Sequence, residues 1–213
     1  MSTLPDLARR FAAAPQESFR SAIDRGNAWL EAVVAAGYEE AIVAEFGECD
    51  EAVRVVGEPA SQEQIRGIEA ELGCALPPSY RRFLCEVGAV AFFNYWWDET
   101  TEIDAVARIS KVLTDPATDF GWRDDPIWHS LPTAPLVRVC DHHNGEEWFY
   151  VTAAHDSAGE APLVLGFHDE PDLYFADALH NPPATHATFE HWLSDQVDRT
   201  ITFVTDRVSR HVR

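Results

Sequence analysis

The chain has 213 residues, of which 46% are hydrophobic and 24% are charged, a composition typical of a globular protein with a core of its own. Acidic residues outnumber basic ones by 36 to 16, which gives a formal net charge of −20. That charge disfavours binding to a nucleic-acid backbone or to an anionic membrane, so we expect neither partner; a basic protein is the favoured one. No run of about eighteen apolar residues is present and the first residues lack a secretory-signal pattern, so we expect a cytoplasmic protein.

The four cysteines are scattered, with neither a C-x-x-C pair nor a spacing typical of a zinc site; they are Cys49, Cys74, Cys85 and Cys140. We expect them to be small buried apolar residues and expect no bound metal or cofactor. An extracellular disulfide framework is the less favoured alternative, because it is typical of shorter chains with more cysteines.

The N-terminal region, from Pro5 to about Phe46, is alanine-rich and favours helices. Its glycines, Gly26, Gly37 and Gly47, indicate two or three short helices instead of a single long one. A strand-like V-R-V-V segment follows and ends in a Gly-Glu-Pro turn signal. We therefore divide the chain into a helical N-terminal extension (1–57), a central domain (58–198) and a C-terminal helical extension (199–213).

Two short amphipathic helices are predicted next. Residues 61–72 begin with a capping-box pattern from Ser61 to Gln64, carry apolar residues on one helical face and are followed by Gly73. After a proline-stiffened joint, Ser79 can cap a second helix, which Gly88 ends. The pair predicts a helix hairpin.

Beyond the hairpin the apolar period changes from that of a helix to that of a strand. Strand candidates at 136–140 and 148–152 flank the turn signal Asn144-Gly145, and a third lies at 163–167. From Thr188, apolar residues recur at helical spacing nearly to the C-terminus. This order predicts an α+β fold with N-terminal helices, a helix hairpin, a mostly antiparallel sheet and a C-terminal helix.

The hairpin region carries a resemblance to a known family. From Ser61 it has the pattern S-x-E-x-I-x-x-I-E-x-E-L-G-x-x-L-P-P-x-Y-x-x-F-L-x-E-V-G, which closely resembles the opening of the SUKH domain, also called the Smi1/Knr4-like family. The closing F-x-x-W-L motif of that family is matched by Phe189, Trp192 and Leu193. For bacterial members the resemblance implies an immunity protein that binds and neutralises a toxin, often a nuclease, with no shared catalytic residues. Eukaryotic members are scaffold-like regulators, so the fold alone leaves both roles open.

A block of negative charge lies in the second half of the chain. Between Val139 and Asp198 there are twelve acidic residues and no lysine or arginine. If these residues share one face, they imitate the polyanion that a nuclease groove accepts and accelerate encounter with a basic partner. The alternative is that each acidic residue only keeps the protein soluble.

An aromatic cluster precedes this block. The segment F-F-N-Y-W-W-D-E, from Phe92 to Glu99, places five aromatic residues within six positions. Because alternate residues of a strand point to opposite faces, some of these rings are expected at the surface, where rigid aromatic anchors support binding. Packing of the rings in the core is the alternative, at least as favoured.

From these two features we predict a partner-binding surface and no catalytic residues. Its predicted members are Trp97, Asp98, Glu99, Asp141, His142, His143, Glu146, Glu147, Asp169, Glu170 and Asp172.

The main hypothesis is an immunity protein that acts by occupying a cognate toxin and is not an enzyme. A Smi1-like regulatory scaffold is the alternative. A third hypothesis, a metal-dependent phosphoesterase, rests on Asp141-His142-His143, which looks like one motif of the DHH phosphoesterases. The remaining motifs of that family are missing, so this hypothesis is the least favoured. The sequence leaves the oligomeric state open.

Overall fold

The computed structural model of the chain describes residues 3–14, 17–47, 50–92, 105–106, 111–113, 136–141, 146–152, 155–167 and 188–211. Within them the helices are α1 (Leu4–Arg10), α2 (Phe19–Val33), α3 (Glu39–Phe46), α4 (Gln62–Leu72), α5 (Pro78–Glu86) and α6 (Phe189–His211). The strands are β1 (Val53–Gly57), β2 (Ala89–Phe92), β3 (Ala105–Val106), β4 (Lys111–Leu113), β5 (Leu136–Asp141), β6 (Glu146–Val151) and β7 (Leu163–Phe167). Helices combined with antiparallel strands and a C-terminal helix confirm the predicted α+β fold.

The N-terminal helices follow the glycine pattern at two of its three positions. Gly37 has a φ of 91° within a π-helical turn, Val34–Tyr38, that separates α2 from α3, and Gly47 follows the last residue of α3. The three helices α1, α2 and α3 confirm the predicted two or three short helices, although α2 continues through Gly26. A Cβ at Gly26 would lie 3.1 Å from Val197 Cγ1 and 3.1 Å from Val53 Cγ2. This glycine therefore permits close packing and does not end a helix.

The helix hairpin is confirmed by α4 and α5, and α4 has both of its predicted ends. The Ser61 hydroxyl accepts from Gln64 N while Gln64 Oε1 accepts from Ser61 N, and Gly73 ends α4 in the left-handed conformation. The prediction that Ser79 caps the second helix is wrong, because α5 begins one residue earlier, at Pro78. A proline is favoured at the first helical position because its missing N–H would have no partner within the helix.

The strands form two antiparallel sheets. The first has the order β1-β2-β3, and the side chain of Asn27 bonds the outer edge of β1 by donating to Val53 O and accepting from Val53 N, each at 2.9 Å. The second sheet has the order β4-β5-β6-β7. In β6, Trp148 and Tyr150 lie on the face that packs against the helices, since Trp148 contacts Trp192 of α6 and Tyr150 contacts Tyr80 of α5. We call this the helix-facing side of the second sheet; the opposite side, on which Phe149 is also fully buried, we call its outer side.

Aromatic rings join the helices at the centre of the core. Phe189 and Trp192 at the start of α6 contact each other, and Phe189 lies 4.5 Å from Phe83 and 4.8 Å from Tyr80, measured between ring centroids. Phe19 of α2 reaches the same cluster, 5.5 Å from Phe83. The N-terminal helices therefore share a single hydrophobic core with the hairpin and the sheets.

A buried ion cluster fixes α2 to α6. The guanidinium of Arg25 is bonded to Glu17 at 2.8 Å and to Asp198 Oδ1 at 2.5 Å, and it also donates to the carbonyl oxygens of Phe11 and Ser194. The side chains of Arg25 and Glu17 are only 9% and 5% exposed. A buried charge is tolerated when it is paired and hydrogen-bonded in this way.

Among the helices in the described part of the chain, none is both long enough and apolar enough to span a bilayer.

Candidate functional site

Three of the eleven predicted surface residues fall within described strands. Asp141 is the last residue of β5, and Glu146 and Glu147 are the first two residues of β6. The other eight lie outside the described residues; they are Trp97, Asp98, Glu99, His142, His143, Asp169, Glu170 and Asp172.

The strand register brings two of these three residues together. Asp141 of β5 is the direct partner of Glu147 in β6, and directly opposed residues of an antiparallel pair share a face. We call Asp141 and Glu147 the acidic pair. Because Trp148 and Glu147 are neighbours in β6, the acidic pair belongs to the outer side of the sheet. Glu146 is the partner of Phe167 in β7 and belongs to the helix-facing side, at the same end of the sheet.

A β-bulge brings a basic residue to the same side. The register of β5 against β6 shifts between Arg138 and Cys140, so that Arg138 pairs with Phe149 and Cys140 with Trp148. Phe149 and Glu147 are two residues apart in a regular strand and share a face, so Arg138 shares that face with the acidic pair. Arg138 is in turn the partner of Lys111 in β4. We call Lys111 and Arg138 the basic pair.

The basic pair was not predicted from the sequence. Arg138 and Asp141 are three residues apart, and simple alternation places such residues on opposite faces of a strand. Only the additional residue at Val139 brings them to one side. By register, Lys111, Arg138, Asp141 and Glu147 therefore occupy positions on the same face of the second sheet.

The remaining members of the acidic block have intramolecular roles wherever their side chains are described. Glu160 accepts from Ser79 N at 2.8 Å and from the Ser79 hydroxyl at 2.7 Å, which places a carboxylate at the N-terminus of α5. The same hydroxyl accepts from Phe189 N at 2.9 Å, in the first turn of α6. Asp156 accepts from the backbone N–H of Ala158 and Glu160 and so orders the turn that carries Glu160. These two acidic residues build the fold.

Three further acidic residues lie on α6 and pair with arginines. Glu190 pairs with Arg82 of α5, and Asp198 pairs with Arg25 of α2. Asp195 lies 4.0 Å from Arg199 one turn along the same helix, a separation at which an exposed pair contributes little. Among the acidic residues of the block whose side chains are described, those with partners within the chain are Asp156, Glu160, Glu190, Asp195 and Asp198.

Burial changes the ionisation of groups close to these partners. It raises the pKa of Asp198 above its ordinary value of 3.8, although the Arg25 guanidinium beside it acts in the opposite direction. Burial also raises the pKa of Tyr80 and of Tyr150 well above the ordinary value of 10.0. The environment of α5 and α6 is thus apolar enough to disfavour charges that have no partner.

The structure describes only part of the aromatic segment and only part of the proposed metal site. Phe92 is buried in β2 and contacts Trp192 edge-on at 5.9 Å between ring centroids, which confirms the core interpretation for this one ring. Trp97 and its neighbours lie outside the described residues. Among the residues whose side chains are described, no three histidine, cysteine or acidic side chains are grouped as metal ligands would be; His142 and His143 are not among them.

Comparison with known families finds a match over the second and larger part of the chain. The model of the SMI1 / KNR4 family (SUKH-1) matches residues 59–195, well over half of the chain. The matched range contains the helix hairpin, both charged pairs and the first turns of α6. No curated protein matches the chain.

Proposed function

Because the chain belongs to the SMI1 / KNR4 family (SUKH-1), which is known for immunity proteins, we propose that it binds and neutralises a cognate bacterial toxin. The proposed surface consists of the acidic pair, Glu146 and the predicted residues in the segments next to them. Those further members are Trp97, Asp98, Glu99, His142, His143, Asp169, Glu170 and Asp172.

The observation that carries the proposal is the position of the acidic pair. Asp141 of β5 and Glu147 of β6 are register partners, so the backbone brings two acidic residues to one end of the second sheet. The carboxylates of the acidic block that the structure describes have partners within the chain, and they belong to Asp156, Glu160, Glu190, Asp195 and Asp198. Two acidic residues at a strand end, in a chain of net charge −20, support a basic partner molecule.

The proposed mechanism is occupancy without catalysis. The net charge of −20 attracts a basic protein over a distance of about one Debye length, roughly 8 Å at physiological salt. Carboxylates at the sheet end then replace, in the toxin's cationic groove, the anionic substrate that the toxin would otherwise bind. Because like charges repel, the same field disfavours acidic partners. A nuclease is the toxin class that this chemistry fits best.

The proposal is tested with the product of the neighbouring reading frame. That product, expressed as a toxin domain, should be captured by the purified protein, and co-expression should restore the growth of cells that carry the toxin. The reversal Glu146→Lys with Glu147→Lys should weaken binding about 100-fold or more, because it places two positive charges against a basic groove.

The matched control carries the same change of charge elsewhere. Glu31 in α2 and Glu39 in α3 are exposed, and their double reversal to lysine should weaken binding only through the net charge, by about threefold. Equal losses in the two double variants would contradict the placement of the surface. Capture of several unrelated proteins with no protection of growth would favour the regulatory scaffold instead.

A further inference from the structure

The N-termini of α5 and α6 meet at one side chain. Ser79 lies in the first turn of α5, and its hydroxyl accepts from the backbone N–H of Phe189, the first residue of α6, at 2.9 Å. Ser79 is fully buried. The first N–H groups of a helix have no partner within that helix, and the aligned peptide dipoles leave a partial positive charge there. Two such helix ends at one position favour the binding of an anion.

One carboxylate of the chain occupies this position. Glu160 Oε1 accepts from Ser79 N at 2.8 Å, and Glu160 Oε2 accepts from the Ser79 hydroxyl at 2.7 Å. Hydrogen bonds to an ionised carboxylate are stronger than those between neutral groups. Glu160 belongs to the connection between β6 and β7 and not to either helix. Its carboxylate is therefore bound as a separate ligand would be, although it comes from the same chain.

A buried hydroxyl beside Ser79 is an independent indication of a polar site. Tyr150 of β6 is fully buried, and its hydroxyl has no hydrogen-bond partner of good geometry among the described residues. Burial raises the pKa of Tyr150 well above its ordinary value, and the adjacent Ser79 side chain acts in the opposite direction. A buried hydroxyl without a partner is unfavourable. This hydroxyl is thus a further donor for an anion bound at Ser79.

The turn that carries Glu160 is ordered by contacts of its own. Asp156 Oδ1 accepts from the backbone N–H groups of Ala158 and Glu160, at 2.8 Å and 3.0 Å. The turn also packs against the start of α5, because a Cβ at Gly159 would lie 3.6 Å from Pro78 Cγ. A preformed turn loses little entropy when it docks. The carboxylate of Glu160 is therefore held at the helix ends at a high effective concentration.

We propose that the N-termini of α5 and α6 form a carboxylate-binding site, which Glu160 fills from within the chain and which takes a free carboxylate such as acetate once the Glu160 side chain is removed. The donors of the site are the backbone N–H and hydroxyl of Ser79, with the Tyr150 hydroxyl beside them. In the wild type Glu160 excludes free carboxylates. The inference does not depend on the proposed function, because no residue of the predicted toxin surface takes part.

Chemical rescue by acetate is the direct test. Glu160→Ala removes one methylene and one carboxylate, which together correspond to one acetate ion. Acetate should bind the variant with a dissociation constant on the order of millimolar, because so small a ligand makes few contacts. It should therefore raise the urea midpoint of Glu160→Ala to a plateau and leave that of the wild type unchanged, relative to chloride at equal ionic strength. Equal midpoints in acetate and chloride for the variant would overturn the proposal.

The matched control removes a carboxylate from the same turn. Asp156 is exposed, and its carboxylate accepts from N–H groups of the turn itself. Acetate should not raise the urea midpoint of Asp156→Ala, and an equal rise in both variants would show a general effect of acetate instead of a site. Adding Ser79→Ala to Glu160→Ala should weaken acetate binding about tenfold, because one donor to the anion is lost. Unchanged acetate binding in that double variant would contradict the role of the Ser79 hydroxyl.

A measurement on the wild type keeps the proposal testable if Glu160→Ala does not fold. The amide proton of Ser79 should resonate far downfield in NMR spectra and move upfield as acid protonates Glu160, because its bond to the carboxylate loses the charge. Gln64 N donates to the Ser61 hydroxyl in α4, and its amide resonance should stay in place as the reference. A Ser79 resonance that moves no more than that of Gln64 would overturn the binding of the Glu160 carboxylate at the helix ends.

Discussion

Two groups of acidic residues from the same block occupy different places in the fold. Glu160 and Asp198 are held by Ser79 and Arg25, residues distant in sequence, and so join separate elements of the fold. Asp141 and Glu147 are register partners at the end of a sheet. A high density of acidic residues in a sequence therefore does not by itself identify a binding surface. What each carboxylate contacts decides whether it stabilises the fold or is available to a partner.

The largest loss of stability is expected when a buried carboxylate loses its cationic partner. Arg25→Met leaves the buried Glu17 and the half-buried Asp198 without their cation, and removal of one partner of a buried pair costs about 3–5 kcal/mol. Urea denaturation should show this loss. The protein that remains folded should bind toxin with unchanged kinetics, because no residue of the charged sheet end is altered.

The control for Arg25→Met lies in the same helix. Arg20 is exposed and donates to the carbonyl oxygen of Glu86, so Arg20→Met should cost about 1 kcal/mol or less. A similar loss in both variants would show that the Arg25 cluster has no special role in joining α2 to α6.

The next effect concerns the close packing of α2 on α6. Gly26→Ala introduces a Cβ that would lie 3.1 Å from Val197 and Val53, and such overpacking costs about 1–3 kcal/mol. Gly67→Ala in α4 is the matched control, because no atom lies within 4 Å of the new Cβ. It should stabilise the protein by about 0.5–1 kcal/mol through helix propensity. Thermal unfolding of both variants should therefore give shifts of opposite sign.

A pair of smaller changes tests the comparison between the two groups of carboxylates directly. Glu160→Gln replaces one of the two oxygens that accept from Ser79 and should cost about 1 kcal/mol of stability with no change in toxin affinity. Glu147→Gln should do the reverse, with stability unchanged or slightly higher and affinity reduced. If Glu160→Gln weakens binding as much as Glu147→Gln does, the two groups are not distinct.

The smallest effect is on the free energy of unfolding, and it appears only at high pH. Burial raises the pKa of Tyr80 and Tyr150 above the ordinary value of 10.0, so the folded state keeps both protons where the unfolded state loses them. The stability that these groups contribute is complete below pH 10.0 and is lost as the pH rises above it. Urea midpoints measured across this range should fall less steeply for Tyr150→Phe than for the wild type. Parallel curves would show that this tyrosine does not contribute.

Local signals made much of the fold predictable. The capping box at Ser61 and the left-handed Gly73 lie at the two ends of one short helix, so residues close together in the sequence suffice to define α4. The start of the C-terminal helix was predicted for a similar reason, since Thr188 accepts from His191 N at its beginning. Gly26 shows the limit of such signals, because its role depends on Val197, which is 171 residues away in sequence.

The charged end of the sheet was predictable only in its acidic half. A turn signal between two strand patterns predicts a hairpin and brings Asp141 near Glu147. No local sequence pattern predicts the bulge at Val139. Without that bulge, Arg138 would be assigned to the opposite face of the sheet from Asp141. The partners of Glu160 and Asp198 could not be predicted either, because each contact joins segments far apart in the chain.

The most direct test of the central claim is the rate of association with the toxin as a function of ionic strength. If the carboxylates at the sheet end guide a basic partner, the association rate should fall steeply with added salt while the dissociation rate changes much less. The double variant Glu146→Lys with Glu147→Lys should show a much shallower dependence than the wild type. An association rate that is independent of salt in the wild type would contradict the account.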